Sequence, residues 1–212
     1  MNFKTIFFIF FMIHLPILVH AQNIQKAVFA GGCFWCVESN FEHLDGVVSA
    51  VSGFTGGTSA NPNYKSHGDH IEAVEITYDK NKIKYEVLVD LFLRSTDVVD
   101  AGGQFCDRGH AYTSAIFASG NNANIAKKII MQFDASGYLP SNILTPILKP
   151  TDFFPVAEYH QDYAMSDKKI FTRRGFMSKA NAYKFYRKSC GRDERIKKLW
   201  GNRGYFGVIK DK

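Results

Sequence analysis

The sequence predicts an α+β protein with the two-layer split βαβ arrangement, the ferredoxin-like plait, followed by a long C-terminal extension. Two observations lead to this fold class. Short apolar segments typical of strands alternate with segments of helical apolar spacing, in the order strand, helix, strand, strand, helix, strand. In addition, a hydrophobic fraction of 46% and an aromatic fraction of 15% in 212 residues are enough for a domain with a buried core.

The elements of the plait follow one another from residue 26. The predicted strands are residues 26–30, 46–54, 71–78 and 112–118, and the predicted helices are residues 34–44 and 85–94. Gly31 and Gly32 end the first strand, and the Asp79-Lys80-Asn81 turn ends the third. We expect one antiparallel sheet that carries both helices on one face.

Further elements are predicted beyond the plait. Residues 122–133 form a helix that ends at Ser136-Gly137, and residues 142–148 form a fifth strand that Pro150 stops. Residues 151–212 form a wrapping tail with short helices at 157–165, 180–189 and 193–200. The core of the domain is therefore expected at about residues 26–150, with no linker between it and the tail.

Residues 1–21 have the pattern of a cleavable secretory signal. Lys4 precedes an almost wholly apolar run at residues 5–19, and Val19-His20-Ala21 supplies the small residue that a signal peptidase requires. The alternative is a membrane anchor, but the apolar run is shorter than the roughly 20 residues that span a bilayer. We therefore expect cleavage after Ala21, a single mature domain at residues 22–212, a periplasmic or secreted location and no stable membrane insertion.

The formal net charge of +6 comes mainly from the tail. Its basic residues include Lys168, Lys169, Arg173, Arg174 and Lys179, and more follow in residues 187–198. Acidic residues are mixed in, which favours a solvated helix face over a nucleic-acid site. We expect no nucleic-acid partner.

The four cysteines are candidates for redox chemistry, and two of them lie in Gly31-Gly32-Cys33-Phe34-Trp35-Cys36. A helix that begins here places Cys33 at its N-terminus, where free backbone N–H groups stabilise a thiolate and lower the thiol pKa. Phe34 and Trp35 beside an activated thiolate would form an apolar pocket for a small methyl-bearing group. The plainer alternatives are an inert buried cysteine and core aromatics.

Two rival interpretations of the Cys33-x-x-Cys36 spacing remain open from the residues alone. The first is a thioredoxin-like disulfide oxidoreductase, although the glycines and the element order disfavour it. The second is a structural zinc site made of Cys33, Cys36, His67 and His70. The spacing of the two histidines is shorter than usual for zinc, so we expect no metal.

Six segments between about residues 26 and 165 carry a family resemblance. They are Gly-Cys-Phe-Trp at 32–35, Ser-Gly-Phe-Thr-Gly-Gly at 52–57, Asn-Pro-Asn-Tyr at 61–64, His-Ile-Glu at 70–72, Gln-Phe-Cys-Asp-Arg-Gly at 104–109 with Tyr-Thr-Ser-Ala-Ile-Phe at 112–117, and Ala-Glu-Tyr-His-Gln-Asp-Tyr at 157–163. In this order they resemble the motifs of the A-type peptide methionine sulfoxide reductases. B-type enzymes usually carry two C-x-x-C pairs, and this chain has one.

The resemblance implies a role for each matching residue. It implies that the Cys33 thiolate attacks the sulfur of a methionine S-sulfoxide and becomes a sulfenic acid. It implies that Glu72 is the acid that protonates the oxygen, that Tyr64 and Tyr112 donate hydrogen bonds to it, and that Asp107 orients water and substrate. It further implies oxidised proteins as substrates and no bound cofactor, with an external dithiol such as a thioredoxin-like protein as electron donor.

The departures from the family pattern concern the cysteines and the rim of the pocket. Cys36 stands where a Gly is common, Cys106 where an Asn is common, and Phe54 where a Tyr is common. Three thiols are therefore candidates for resolving a sulfenic acid on Cys33. Cys36 is one helical turn from Cys33, and Cys106 adjoins Asp107. Cys190 resembles the mobile C-terminal cysteine that members of the family often use. The sequence favours Cys190 and Cys106 together over Cys36.

Overall fold

The structure is a computed structural model of the chain, and it describes residues 23–207. The expected signal segment, residues 1–21, lies outside the described residues. Within them, the strands are β1 (Ile24–Gly31), β2 (Val47–Thr55), β3 (Ile71–Asp79), β4 (Gly103–Gln104), β5 (Asp107–Arg108), β6 (Ser114–Phe117), β7 (Ile147–Leu148), β8 (Phe154–Pro155), β9 (Lys169–Thr172) and β10 (Gly175–Ser178). The α-helices are α1 (Phe34–Phe41), α2 (Tyr85–Arg94), α3 (Gly120–Ala135), α4 (Lys179–Ser189) and α5 (Arg192–Trp200).

The central sheet has six strands in the order β7-β6-β1-β3-β2-β8. Its neighbouring strands are antiparallel with one exception: β7 runs parallel to β6, with Ile116 opposite Ile147. The expectation of a purely antiparallel sheet is therefore wrong. The reason is α3, which carries the chain back along the sheet between β6 and β7 and so returns it in the same direction. The protein is a mixed α/β structure.

The main core lies between the sheet and the helices on one of its faces. Phe29 of β1 stacks on Phe92 of α2, with ring centroids 4.8 Å apart, and packs against Phe41 of α1 at 5.8 Å. Both helices thus contribute to one apolar cluster, in agreement with the predicted layering. Alternate residues of the strands point to the opposite face, where a smaller cluster around Ala30 and Ala73 packs against Phe153.

The tail is folded onto this core rather than loosely attached to it. Trp200, at the end of α5, is fully buried, and its ring packs against Phe133 of α3 at 4.9 Å. Gln161 binds the edge of β2, since its side chain accepts a hydrogen bond from Ser52 N and donates to Ser52 O, at 2.9 Å each. The predicted helices at 180–189 and 193–200 are confirmed within a residue at each end.

One prediction for the tail is wrong, and one of its elements was not predicted. The helix predicted at 157–165 is a single 3-10 turn, Glu158–His160, because Asp162 adopts a positive φ of 49° that an α-helix does not allow. The hairpin of β9 and β10 had not been predicted, since Phe171 and Phe176 are exposed and its strands therefore lack a clear apolar face. Among residues 23–207, no helix has the length and apolar composition needed to cross a membrane.

Candidate active site

Cys33 lies at the junction of β1 and α1. Gly32 has a positive φ of +78°, and a Cβ added there would lie 2.5 Å from the Cβ of Gln104. The buried Gln104 amide is itself held in place by the Asp97 backbone, whose N–H and C=O it binds at 2.9 Å each. Glycine is therefore required at position 32, and the chain turns there so that Cys33 is the N-cap of α1.

A cavity of about 460 Å³ opens beside Cys33. Its walls include every residue nominated for the sulfoxide reductase chemistry: Cys33, Phe34, Trp35, Cys36, Tyr64, Glu72, Cys106, Asp107, Tyr112 and Cys190. These residues come from α1, the loop before β3, β3 itself, the segment around β5 and the end of α4. The structure thus brings together in one place residues that are up to 157 positions apart in the chain, from Cys33 to Cys190.

Glu72 is held next to the start of α1. Its side chain is buried, and its Oε2 accepts a hydrogen bond of 3.0 Å from the Phe34 backbone N–H. Burial raises the pKa of Glu72 to about 8, and the nearby Asp107 and Cys36 add to this effect. The carboxyl is therefore protonated at neutral pH, and the cavity has a proton donor close to Cys33.

The other polar groups of the cavity also favour their protonated forms. Burial raises the pKa of Tyr64 to about 12 and raises that of Tyr112 well above its usual value, with Glu72 contributing in both cases. Burial likewise raises the pKa of Asp107, although Arg192 opposes the shift. The two phenols are consequently hydrogen-bond donors over the whole physiological range.

The apolar side of the cavity is a stack of aromatic rings. Trp35 stacks on Tyr163 at 3.9 Å and on His160 at 5.7 Å, and Tyr64 stacks on His160 at 4.1 Å. Phe34 is almost wholly buried, so most of its surface packs in the core and only part of it faces the cavity. Sequence reasoning assigned no role to His160 or Tyr163, although both lie in the quoted segment 157–163.

The two inner thiols differ from the sequence expectation. The side chains of Cys33 and Cys36 are hydrogen-bonded to each other. This bond, burial and the charges of Glu72 and Asp107 raise the pKa of Cys33 well above its usual value, which corrects the expected lowering by the helix N-terminus. The same bond, with Arg192 and Arg187, lowers the pKa of Cys36 to about 6. The surroundings therefore favour the thiolate form of Cys36 over that of Cys33.

The two outer cysteines form a disulfide between Cys106 and Cys190. Cys106 is exposed and Cys190 is half-buried, so this bond lies at the rim of the cavity. The pairing joins two of the three resolving candidates to each other, while Cys33 and Cys36 are free thiols.

The zinc alternative does not fit the structure. His70 uses both ring nitrogens, because Nδ1 accepts from Gly57 N at 3.2 Å and Nε2 contacts Ser59 O at 2.8 Å. The ring of His67 stacks on Phe54 at 5.4 Å. Among residues 23–207, the one group of His, Cys and acidic ligand atoms close enough to bind a metal is Cys106, Asp107 and Cys190, whose two sulfurs are already bonded to each other.

The basic tail contributes to the site, which the sequence did not indicate. Arg187 and Arg192 are buried and line the cavity together with Tyr183. The interpretation of the tail's charges as a solvated face is therefore wrong for these two residues. The one indication in the sequence that they belong to the site was their position on either side of Cys190. Composition alone does not distinguish a buried arginine from an exposed one.

Comparison with known proteins gives one consistent family. A model of the family described as peptide methionine sulfoxide reductase matches residues 25–200. A protein of Rhizobium meliloti (strain 1021) named peptide methionine sulfoxide reductase MsrA 2 is 40% identical over 190 residues, which cover 89% of each chain. The MsrA of Listeria welshimeri is 43% identical over 152 residues, which cover 69% of this chain and 86% of that protein.

Solved structures agree with this result. The reduced form of Mxr1 from Saccharomyces cerevisiae superposes with a TM-score of 0.60 at 26% identity, over 66% of this chain and 83% of that one. Methionine sulfoxide reductase A of Corynebacterium diphtheriae gives a TM-score of 0.58 at 27% identity, over 66% and 73% of the two chains.

A second buried carboxyl, Glu38 of α1, provides a test of how burial affects the pKa of a carboxyl group in this protein. Burial raises its folded-state pKa from 4.5 to about 8. Folding therefore favours the protonated form, so its contribution to stability is present below pH 4.5 and is lost as pH rises towards 8. We expect Glu38→Gln to gain stability relative to the wild type across this window, by up to about 1.4 kcal/mol per pH unit.

Urea unfolding at a series of pH values measures this difference. Glu86→Gln, at an exposed position on α2, is the matched control and should keep the wild-type pH dependence. A constant stability difference between Glu38→Gln and wild type at all pH values would contradict the burial argument.

Proposed function

The chain belongs to the peptide methionine sulfoxide reductase family and reduces methionine sulfoxide to methionine, and we propose that Cys33 is its nucleophile and the S epimer its substrate. The observation that carries this proposal is the cavity itself. It brings the Cys33 thiol at a helix start, a protonated Glu72 carboxyl and two phenol donors together around one cavity. A sulfoxide needs these groups, because its sulfur must be attacked while its oxygen gains a proton.

The chemical step follows from these positions. The Cys33 sulfur, as thiolate, attacks the sulfoxide sulfur, and the S–O oxygen is transferred to Cys33 as a sulfenic acid. Glu72 gives its proton to that oxygen and becomes a carboxylate, so that methionine leaves as the neutral thioether. Tyr64 and Tyr112 donate hydrogen bonds to the oxygen as its charge develops, and Asp107 orients the polar side of the substrate.

The aromatic side of the cavity suits the methyl group of the substrate. The rings of Phe34, Trp35, Tyr64 and Tyr163 line the cavity, and His160 stacks on both Trp35 and Tyr64. Sulfur and its methyl group make favourable contacts with aromatic rings. Substrate recognition thus requires the methyl sulfoxide group and few contacts to the rest of the residue, which supports oxidised proteins as substrates as well as free methionine sulfoxide.

The second half of the reaction uses the other thiols. The hydrogen bond between Cys33 and Cys36 supports Cys36 as the first thiol to meet a sulfenic acid on Cys33, with loss of water and formation of a disulfide. In the reduced enzyme the Cys106 and Cys190 thiols then exchange with this disulfide, which returns Cys33 and Cys36 to thiols and leaves the Cys106–Cys190 bond seen here at the exposed rim. An external dithiol protein of the thioredoxin type, rather than a bound cofactor, is the proposed reductant of this outer bond.

The finer description of the fold is part of the same proposal. β1, α1 and β2 form one split βαβ unit, and β3, α2 and β6 form the second, so that the four strands make a ferredoxin-like plait. Their spatial order, β6-β1-β3-β2, and their antiparallel neighbours support this assignment.

The first test is epimer-specific turnover with dithiothreitol as the donor. We expect the wild type to reduce the S epimer of a sulfoxide-containing peptide and to leave the R epimer unchanged. Cys33→Ser should be inactive, because a serine hydroxyl is not ionised at neutral pH. Retained turnover in a folded Cys33→Ser chain would place the nucleophile elsewhere.

The second test concerns the proton donor. We expect Glu72→Gln to lower turnover by on the order of 10²-fold or more, the usual contribution of a positioned general acid. Single loss of the Tyr64 or Tyr112 hydroxyl should cost less, since each partly replaces the other. Glu75→Gln is the matched control on the same strand, where the carboxylate pairs with Lys26 at 2.7 Å outside the cavity. Equal activity of Glu72→Gln and Glu75→Gln would exclude Glu72 as the acid.

The third test concerns location, which we propose to be the periplasm or the exterior, with no stable membrane insertion after processing. The apolar run at residues 5–19 followed by Val19-His20-Ala21 supports export. We expect the N-terminal sequence of the protein isolated from its host's envelope to begin at Gln22. Ala21→Arg should block cleavage and leave Met1 in place, whereas Met1 on the wild-type protein would support an anchor instead.

A further inference from the structure

Arg192 is a buried cation without a carboxylate partner among residues 23–207. Only 2% of its surface is exposed. Its terminal nitrogens donate to two backbone carbonyls, Ser95 O at 3.0 Å and Gly31 O at 3.4 Å, and its guanidinium lies 4.4 Å from the centre of the Phe105 ring. Its Nε is buried and has no hydrogen-bond partner in the described residues. A buried charge of this kind is costly unless an anion faces it.

A second buried cation, Arg187, reaches the same region through Tyr183. Arg187 forms an ion pair with Asp193 at 2.6 Å and donates to the Tyr183 hydroxyl at 2.8 Å. The Tyr183 hydroxyl lies 2.7 Å from that of Ser39, and it also hydrogen-bonds the Cys36 side chain. The tail helices α4 and α5 therefore supply a guanidinium and an oriented phenol on the inner side of Cys36.

Cys36 is the group that these residues enclose. It is buried on α1, packs against Tyr183 and lines the cavity together with Arg187 and Arg192. We propose that Arg192, Arg187 and Tyr183 are positioning residues that hold Cys36 as a thiolate, and that this thiolate takes the proton of Cys33 when Cys33 attacks the sulfoxide. Only the second part of this proposal, the proton transfer from Cys33 to Cys36, rests on the proposed function. The first part concerns the charge on Cys36, which exists without substrate.

Few other titratable groups lie around Cys36. Cys33 donates the hydrogen bond to Cys36, and Glu72 and Asp107 face the pair from β3 and β5. Glu72 is neutral at neutral pH, because burial raises its pKa to about 8. Asp107 is the alternative counter-charge for Arg192, but no ion pair within 4 Å joins them in the described part of the chain.

The step is balanced in protons, electrons and net charge. Before reaction the site holds a Cys33 thiol, a Cys36 thiolate and a Glu72 carboxyl. The Cys33 proton moves to Cys36, the Cys33 sulfur takes the oxygen from the substrate, and the Glu72 proton moves to that oxygen. The products are methionine, a Cys33 sulfenic acid, a Cys36 thiol and a Glu72 carboxylate, with the net charge unchanged.

This arrangement accounts for a nucleophile whose own pKa is raised. A permanent thiolate on Cys33 would be disfavoured by burial and by any charge on Glu72 or Asp107, and it would be open to other oxidants. A proton shared with Cys36 keeps Cys33 neutral until a substrate occupies the cavity. The arginines of the tail thus act on Cys33 through Cys36.

The direct test measures the ionisation of Cys36 with no sulfoxide present. In full-length Cys33→Ser with the Cys106–Cys190 bond oxidised, Cys36 is the one remaining free thiol of the four cysteines, and the serine hydroxyl still donates a hydrogen bond to it. Thiolate absorbance as a function of pH should then have a midpoint near the Cys36 pKa of about 6.

The variants are made in the same background. Arg192→Met and Arg187→Met should each raise the midpoint of Cys36 ionisation by about one pH unit. At pH values below the midpoint this lowers the thiolate fraction by about tenfold. Arg192→Lys should restore part of the shift, because it returns the charge but not the planar guanidinium. Lys188→Met, exposed beside Arg187 on α4, is the matched control and should leave the midpoint unchanged. Should a Met variant unfold, Tyr183→Phe tests the same network with a smaller perturbation.

The pH profile of turnover connects this charge to the reaction. With Cys33 present, activity should rise with the ionisation of Cys36 at about 6 and fall with that of Glu72 at about 8. Arg192→Met should move the acid limb upwards and leave the basic limb in place. An unchanged Cys36 midpoint in Arg192→Met would overturn the proposal even if the enzyme is active. Activity in Cys33→Ser would overturn the proposed function without affecting the thiolate measurement.

Discussion

The hydrogen bond from the Phe34 backbone N–H to the Glu72 carboxyl is the interaction on which the site depends. It joins the first residue of α1 to β3, so the position of Cys33 at the N-cap also sets the position of the acid. The bond itself favours the carboxylate, but burial of the side chain has the larger effect and raises the pKa of Glu72 to about 8, so the carboxyl stays protonated at neutral pH. Nucleophile and proton donor are thus set by one contact between two rigid elements.

Around this contact the structure places groups that cannot all be charged together. Cys33, Cys36, Glu72 and Asp107 interact within one cavity, and burial favours the neutral form of each acid. The hydrogen bond with Cys33 and the two arginines of the tail lower the pKa of Cys36, so one negative charge is favoured on that thiol. Glu72, Tyr64 and Tyr112 are neutral donors, which is the protonation state that a polar but uncharged sulfoxide requires.

The tail has a structural and a chemical part in this arrangement. Trp200 and Gln161 attach it to the core, and Arg187 and Arg192 are buried as a consequence of that attachment. The Cys106–Cys190 disulfide provides a further covalent link between the segment after β4 and the end of α4. The disulfide at the rim of the cavity and the two buried arginines in its wall therefore belong to the same folded unit.

The sequence by itself determined the local features. Apolar spacing and glycine positions predicted β1, α1, β2, β3 and α2, because these signals arise within a few residues, and the motif segments identified Cys33, Glu72 and the tyrosines as candidates. Only the tertiary structure decided the direction of β7, the pairing of Cys106 with Cys190 and the location of the thiol charge on Cys36 rather than Cys33. The physical reason is distance along the chain. Arg192 binds the carbonyl of Gly31, 161 residues away. Beside the hydrogen bond with the nearby Cys33, the charges of Arg192 and Arg187 lower the pKa of Cys36, and neither arginine is close to Cys36 in the sequence.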